Sequence, residues 1–249
     1  MNRLPRPETL PPEELLGPLP GPATAEVRAV AIATLNGAAA LGGNTQAMGN
    51  ATDSVFFHAV RAWSDVILVG AGTVREENYG GVILSEDQRQ DRLNIGQDVL
   101  PQIAVLTRSL SLNPAARFFT EATSTPLLLV PHATFADPAL ASQKQALLAA
   151  GAEIIDCGDG GMRTVLETLR FHGFKRVDLE GGPRAFAEMF AEDLIDVFHL
   201  TIEPRLHAPI EHQLLNVSEG MPTFTRDLHL EHVGVTADGT LFLRYRRPH

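Results

Sequence analysis

Three corners of the chain carry the residues best suited to chemistry. Gly70-Ala71-Gly72-Thr73 follows a short apolar run and opens a helical stretch. Glycines there let backbone N–H groups approach an anion, and a helix N-terminus favours negative charge. Thr73 and Arg75 add a hydroxyl and a cation. The same residues also make an ordinary tight turn, and the run is not a GxGxxG dinucleotide fingerprint. Glu180-Gly181-Gly182-Pro183 repeats the arrangement after another apolar run. Thr107-Arg108-Ser109 ends a third. Two hydroxyls beside a guanidinium suit a phosphate monoester, the 2′-phosphate of NADPH being one example. The competing reading of that corner is a solvated loop.

Two further features lie upstream. Leu35-Asn36-Gly37 through Asn50 is rich in Gly, Ala and Asn with little to bury, as lids over active sites are. Asp53 falls at the start of the next helical stretch, where an N-cap belongs. A carboxylate there would stay ionised and accept two hydrogen bonds from a pyrimidine or pterin. Pure capping is the equal alternative.

The elements that must position these corners follow from hydrophobic pattern. Short, nearly continuous apolar runs at 27–34, 65–70, 102–107, 126–130, 153–156 and 176–180 predict strands buried on both faces. Helical stretches at 53–63, 70–77, 137–150, 161–171 and 182–192 fall between most of them, with Asp137 as a further N-cap. The alternation predicts a mainly parallel sheet covered on both faces, whose ligands sit at the carboxyl ends of the strands. Segments 197–204, 228–235 and 241–246 follow without a helix, with Asp238-Gly239 as a turn, and predict antiparallel edge strands. Phe242, Leu243, His229 and Leu230 on those edges would offer an isologous contact. The polar stretch 78–100 reads as a mobile loop. Seven of the 17 prolines fall between Pro5 and Pro22, so residues 1–25 read as an extended, non-helical arm, either a loose tail or a strap across a neighbouring subunit.

Composition narrows the function classes. The chain has 249 residues and 44% hydrophobic residues, enough for a substantial core. The net charge is -10, and Lys144 and Lys175 are the only lysines, which argues against a nucleic-acid partner. One cysteine, Cys157, excludes an intrachain disulfide and a cysteine-rich zinc site, and no metal site is expected. No apolar run approaches the about 18 residues of a membrane span, so a cytoplasmic protein is expected.

Asn36-Gly37, the run Arg61-Ala62-Trp63-Ser64-Asp65 to Gly70-Ala71-Gly72-Thr73-Val74-Arg75, Glu180-Gly181-Gly182-Pro183 and Leu200-Thr201-Ile202-Glu203-Pro204 together resemble the reductase domain of riboflavin-biosynthesis deaminase/reductases. That family's pattern is roughly SLDG, LRA..D.ILVG.GTVR, EGGP and LTIAP, and the stand-alone actinobacterial pyrimidine reductases are the most similar members. The resemblance covers about residues 27–246 and divides the chain into an arm, 1–25, and a reductase domain, 26–249. It implies a dihydrofolate-reductase-like α/β fold, NADPH as cofactor, a homodimer and a cis peptide between Gly181 and Gly182. By resemblance, Gly70, Gly72, Thr73 and Arg75 would lie along the NADPH phosphates, and Thr107, Arg108 and Ser109 on the 2′-phosphate. Gly181, Gly182, Pro183, Arg184, Ala185 and Phe186 would hold the pyrophosphate, with Ala33 also on the cofactor side. Asn36, Thr45, Asp53, Arg61 and Glu180 would meet a phosphorylated pyrimidine, with Asp53 and Glu180 as the catalytic candidates.

Two departures stand out. The family's SLDG reads Thr34-Leu35-Asn36-Gly37, so a carboxylate has become an amide. A zinc deaminase domain needs more than one cysteine, so only the reduction is expected. The implied reaction is hydride transfer to ribose C1′ of 5-amino-6-(5-phosphoribosylamino)uracil. A reductase of another pterin or pyrimidine, such as dihydrofolate, and a non-catalytic NADPH-binding paralogue are the alternatives.

Overall fold

Unbroken apolar runs such as Val66-Ile67-Leu68-Val69 can satisfy both faces only inside a sheet covered on both sides, and all four residues are 0% exposed. The computed structural model describes residues 6–218 and 220–248. Pro5, counted above with the arm, lies outside them. In chain order the elements are α1 (Pro12–Leu16), β1 (Glu26–Thr34), α2 (Ala51–Trp63), β2 (Val66–Gly70), α3 (Ala71–Glu76), α4 (Glu86–Asn94), β3 (Gln102–Leu106), α5 (Arg117–Thr120), β4 (Leu127–Val130), α6 (His132–Ala136), a 3-10 turn (Pro138–Leu140), α7 (Ala141–Ala149), β5 (Glu153–Asp156), α8 (Met162–Phe171), β6 (Arg176–Leu179), α9 (Pro183–Ala191), β7 (Val197–Glu203), β8 (His229–Val235) and β9 (Leu241–Arg246). The strands form one nine-stranded sheet in the order β5-β4-β3-β2-β6-β1-β7-β9-β8. Every pair from β5 to β7 is parallel, and β9 runs antiparallel to both β7 and β8.

Period-two alternation splits the core between the two faces. Leu68, Leu129 and Leu179 pack under α8 and α9 with Val165, Leu169 and Phe186. Ile67, Val69 and Leu128 face the other way, onto Val74, Leu110 and Leu147. A third cluster joins Leu15 and Leu16 of α1 to Phe56, Val60 and Trp63 of α2 and to Phe242 of β9.

Several expectations are corrected. The proline-rich arm is not extended throughout, because α1 forms within it with Pro12 in the first turn, a position that needs no N–H donor. Burial of Leu15 and Leu16 holds it, and two arginines cap its end. Arg28 Nη1 donates to Leu16 O at 2.7 Å, and Arg244 Nη1 to Leu15 O at 2.8 Å. The arm segment Leu10–Leu16 therefore docks on its own subunit. The polar stretch 78–100 contains α4, started by a Ser85/Gln88 capping box. Its anchor is not an apolar stripe but buried Arg92, which donates to Ala62 O, Ser64 O and Asp98 O. Asp53 is not the cap of α2. Asn50 is, its side chain accepting from Asp53 N at 3.1 Å. Asp137 does cap, accepting from Ala139 N ahead of the 3-10 turn. At the far end only β8 is an edge. β9 lies inside, with Phe242 4% exposed, so that ring is not free for a contact between subunits. The turn before β9 is closed by Asp238, which accepts from Thr236 Oγ1 and Thr240 N.

Candidate active site

Parallel strands β2, β3 and β6 end at one edge of the sheet, and their corners open onto two cavities. One, of about 460 Å³, is lined by Gly70, Gly72, Arg75, Thr107, Arg108, Ser109, Arg184 and Ala185. The other, of about 430 Å³, is lined by Thr45, Asp53, Arg61, Tyr79, Glu180 and Phe186. Thr73, Gly182, Pro183, Glu76 and His212 border both. Both volumes lie in the range of small-molecule sites.

The glycine pair makes this junction. Gly70 N donates to Gly181 O at 2.8 Å, tying the end of β2 to the corner after β6. The Gly181–Gly182 peptide is cis, as the resemblance implies. Gly181 has φ +95°, and a Cβ there would lie 2.9 Å from the Phe186 ring. At Gly182 a Cβ would lie 2.5 Å from Thr73 Oγ1. The first-turn amides of α3 and α9, which have no intrahelical acceptor, stand at the same edge.

The residues lining the larger cavity fit a dinucleotide. A Cβ at Gly72 would meet only Glu76 Oε1, at 4.0 Å, so backbone there is open to the cavity. Hydroxyls of Thr73, Thr107 and Ser109 and the cations Arg75, Arg108 and Arg184 surround the space. Arg108 is half exposed and pairs with Glu188 at 2.8 Å, while Arg75 donates to Ser111 O.

The smaller cavity is walled by buried charge. Arg61 holds Glu180 bidentately, Nε to Oε1 at 2.6 Å and Nη2 to Oε2 at 2.7 Å. Tyr79 Oη donates to Glu180 Oε2 at 2.6 Å. Burial opposes the Arg61 charge, but Glu180 more than offsets this and holds the guanidinium above its usual range. Burial and then the Glu180 charge push the Tyr79 phenol well up. The same two causes raise Asp178, which is 0% exposed with neither carboxyl oxygen hydrogen-bonded. Asp53 is raised as well. Burial is the main cause and Glu203 adds to it, against a 2.6 Å bond donated by Thr201 Oγ1. The expectation of a readily ionised Asp53 is therefore corrected, because its carboxylate is not at the cap position and its surroundings disfavour the charge.

The loop over this cavity is latched at several points. Thr45 N donates to Glu77 Oε1 at 2.8 Å, Gly49 N to Glu203 Oε1 at 2.9 Å, and Arg205 Nη1 to Ala47 O at 3.2 Å. Asn36 lines neither cavity. Its Oδ1 accepts from Thr34 Oγ1 and His207 N, and its Nδ2 donates to His207 O, so the amide pins the loop to segment 205–207. An aspartate could not make both halves of that His207 contact while ionised. Ala33 is buried in β1 and lines neither cavity, and Gly181 contributes only its carbonyl at the junction.

The sequence reading missed Tyr79, Asp178, Glu188, Glu203 and His212. A signal existed for two of them. Asp178 stands two residues before Glu180 in a strand, hence on the same face, and Glu203 replaces the apolar residue of LTIAP. Among the described residues there is no group of three or more His, Cys, Asp or Glu placed to hold a metal ion. Nor is any described helix long and apolar enough to cross a membrane.

Sheet order, glycine corners and paired cavities give the α/β architecture of the dihydrofolate-reductase-like fold. More narrowly, residues 25–242 match the model of the RibD C-terminal domain, and the chain belongs to that family. It is similar in structure to a pyrimidine reductase-like protein from Corynebacterium diphtheriae, with TM-score 0.81 and 30% identity over 90% of this chain and 92% of that one. The deaminase/5-amino-6-(5-phosphoribosylamino)uracil reductase of Thermotoga maritima matches with TM-score 0.67 and 18% identity over 90% of this chain, which spans 57% of that protein. The riboflavin biosynthesis reductase Rib7 of Saccharomyces cerevisiae matches with TM-score 0.63 and 14% identity over 94% and 95% of the two chains. The last two likenesses speak to the fold alone.

Proposed function

We propose that this chain is an NADPH-dependent reductase of a pyrimidine-type ring compound, with 5-amino-6-(5-phosphoribosylamino)uracil as the substrate the family suggests. The observation that carries the reading is the junction at Gly182 and Thr73, where a cavity fitted to a phosphate-bearing dinucleotide meets one walled by carboxyl groups. Bound NADPH would supply hydride, received in the family reaction at C1′ of the open imine. The imine nitrogen then needs a proton. Asp53, on the wall of the 430 Å³ cavity and raised by burial, is the group placed to hold one. The Arg61–Glu180–Tyr79 network fixes another part of the same cavity's wall.

A second substrate reading has its own support. Among the residues lining the smaller cavity, Arg61 is the one Lys or Arg, and Glu180 already occupies it bidentately. Asp53, Glu76, Glu77 and Glu180 line the same space. This acidic balance favours a ring without a phosphate, such as a dihydropterin, whose amino and ring N–H groups a carboxyl can recognise. Loss of reduced-nicotinamide absorbance, followed with each compound in turn, tests both. Turnover of the phosphoribosyl compound alone supports the first and of the pterin alone the second, while turnover of neither overturns the enzyme reading.

A further inference from the structure

The cations at the mouth of the 460 Å³ cavity are already engaged. Glu188 Oε1 accepts from Arg108 Nη2 at 2.8 Å and lies 3.7 Å from Arg184 Nε. Glu188 is fixed to the wall by α9, one turn beyond Arg184, while Arg108 reaches it from the corner after β3. The carboxylate is only 15% exposed, against 54% and 60% for the two guanidinium groups. An internal anion therefore occupies the ground that an external phosphate monoester would use, and it is the least movable of the three groups.

We propose that Glu188 sets the dinucleotide preference of this site, holding down affinity for the 2′-phosphorylated form relative to the unphosphorylated one. The proposal rests on the reading that the cavity binds a dinucleotide. A 2′-phosphate brings about two negative charges, and these must compete with Glu188 for Arg108 and Arg184 while lying beside its carboxylate. A free 2′-hydroxyl is a donor, and a carboxylate oxygen accepts it with the ion pair left intact. Placing a like charge against one of two otherwise similar ligands is how a site discriminates by repulsion. Because the Arg108 pair is half exposed, breaking it costs little. The effect comes from the charge that stays behind on the wall.

The test is direct titration of the full chain with NADPH and, separately, NADH, followed by reduced-nicotinamide fluorescence with no second substrate present. Glu188→Gln keeps the shape and removes the charge. It should tighten NADPH by about tenfold and leave NADH unchanged or weaker, and Glu188→Ala should move the ratio of the two dissociation constants in the same direction. Raising the salt concentration should shrink the difference between wild type and variant. If wild type binds the dinucleotides and both variants keep its ratio, the role of Glu188 is overturned while the dinucleotide reading stands. If wild type binds neither NADPH nor NADH, that reading falls and this proposal falls with it.

Discussion

The two cavities are neighbours built on opposite plans. The larger is made of backbone and rim: glycine corners, first-turn amides, and arginines half in water. The smaller is made of side chains that satisfy one another out of water, with Arg61, Glu180 and Tyr79 locked together. Rim cations contribute little to folding, and their half-exposed pairings cost little to exchange for a ligand. A buried ion pair is the reverse, because removing one partner strands the other's charge. Damage in the larger cavity should thus be read in binding, and damage in the smaller one in stability as well.

The largest effect is expected from Arg61→Ala. Glu180, whose side chain is 2% exposed, would keep only the Tyr79 hydroxyl. The cost should be about 3–5 kcal/mol, or a fall in Tm on the order of 10 °C by thermal denaturation. A variant with unchanged Tm would break the contrast between the cavities. Next comes Gly182→Ala, whose Cβ would lie 2.5 Å from Thr73 Oγ1 at the junction. NADPH affinity should fall about a hundredfold by titration, roughly 2.7 kcal/mol, with Tm nearly retained. Gly181→Ala should instead unfold the corner, since it combines φ +95° with a 2.9 Å approach to Phe186.

Asp53→Asn sharpens the contrast in a third way. The raised pKa means that the folded state holds the Asp53 proton more tightly than the unfolded state does. The group's contribution to stability is present below its unfolded pKa, about 3.9, and is lost as pH rises through the folded value. At neutral pH the amide variant should therefore melt slightly higher than wild type. Its kcat/KM for the pyrimidine or pterin should be at least about tenfold lower, and the fall in rate with rising pH should vanish. Unchanged kinetics would reduce Asp53 to a structural partner of Thr201. The smallest effect belongs to Arg108→Ala. It should weaken NADPH about three- to tenfold and NADH hardly at all, as expected for a charged contact made partly in water. Equal losses for both cofactors would remove Arg108 from the 2′-phosphate.

This difference in plan also governs what the sequence reveals. A buried parallel strand is a local pattern, so β2, β3 and β4 show in Val66–Gly70, Gln102–Leu106 and Leu127–Val130 without any partner in view. Glycine corners are local too. The carboxyl-walled cavity is not, because Tyr79 meets Glu180 across 101 positions and Arg61 meets it across 119. Nothing near Tyr79 announces that. α4 escapes pattern reading because a buried guanidinium on carbonyl oxygens holds it, not a stripe of apolar residues. The cap of α2 lies three residues before the position the sequence suggests, because Asn50 and Asp53 are both good caps and only the bond from Asp53 N to Asn50 Oδ1 decides between them.

The seat of α1 has a consequence in time. Leu15 packs against Phe242, and Arg244 closes the helix end by bonding Glu14 O and Leu15 O across 230 and 229 positions. A five-residue helix has no stability of its own in water. During synthesis, α1 emerges long before β9 yet cannot settle until β9, more than two hundred residues later, has left the ribosome and paired with β7. Until then Leu15, Leu16 and the Trp63 side of α2 are exposed to whatever else is in the cell. The burial of Leu15 and Leu16 is thus timed by the arrival of β9 and not by the synthesis of α1 itself.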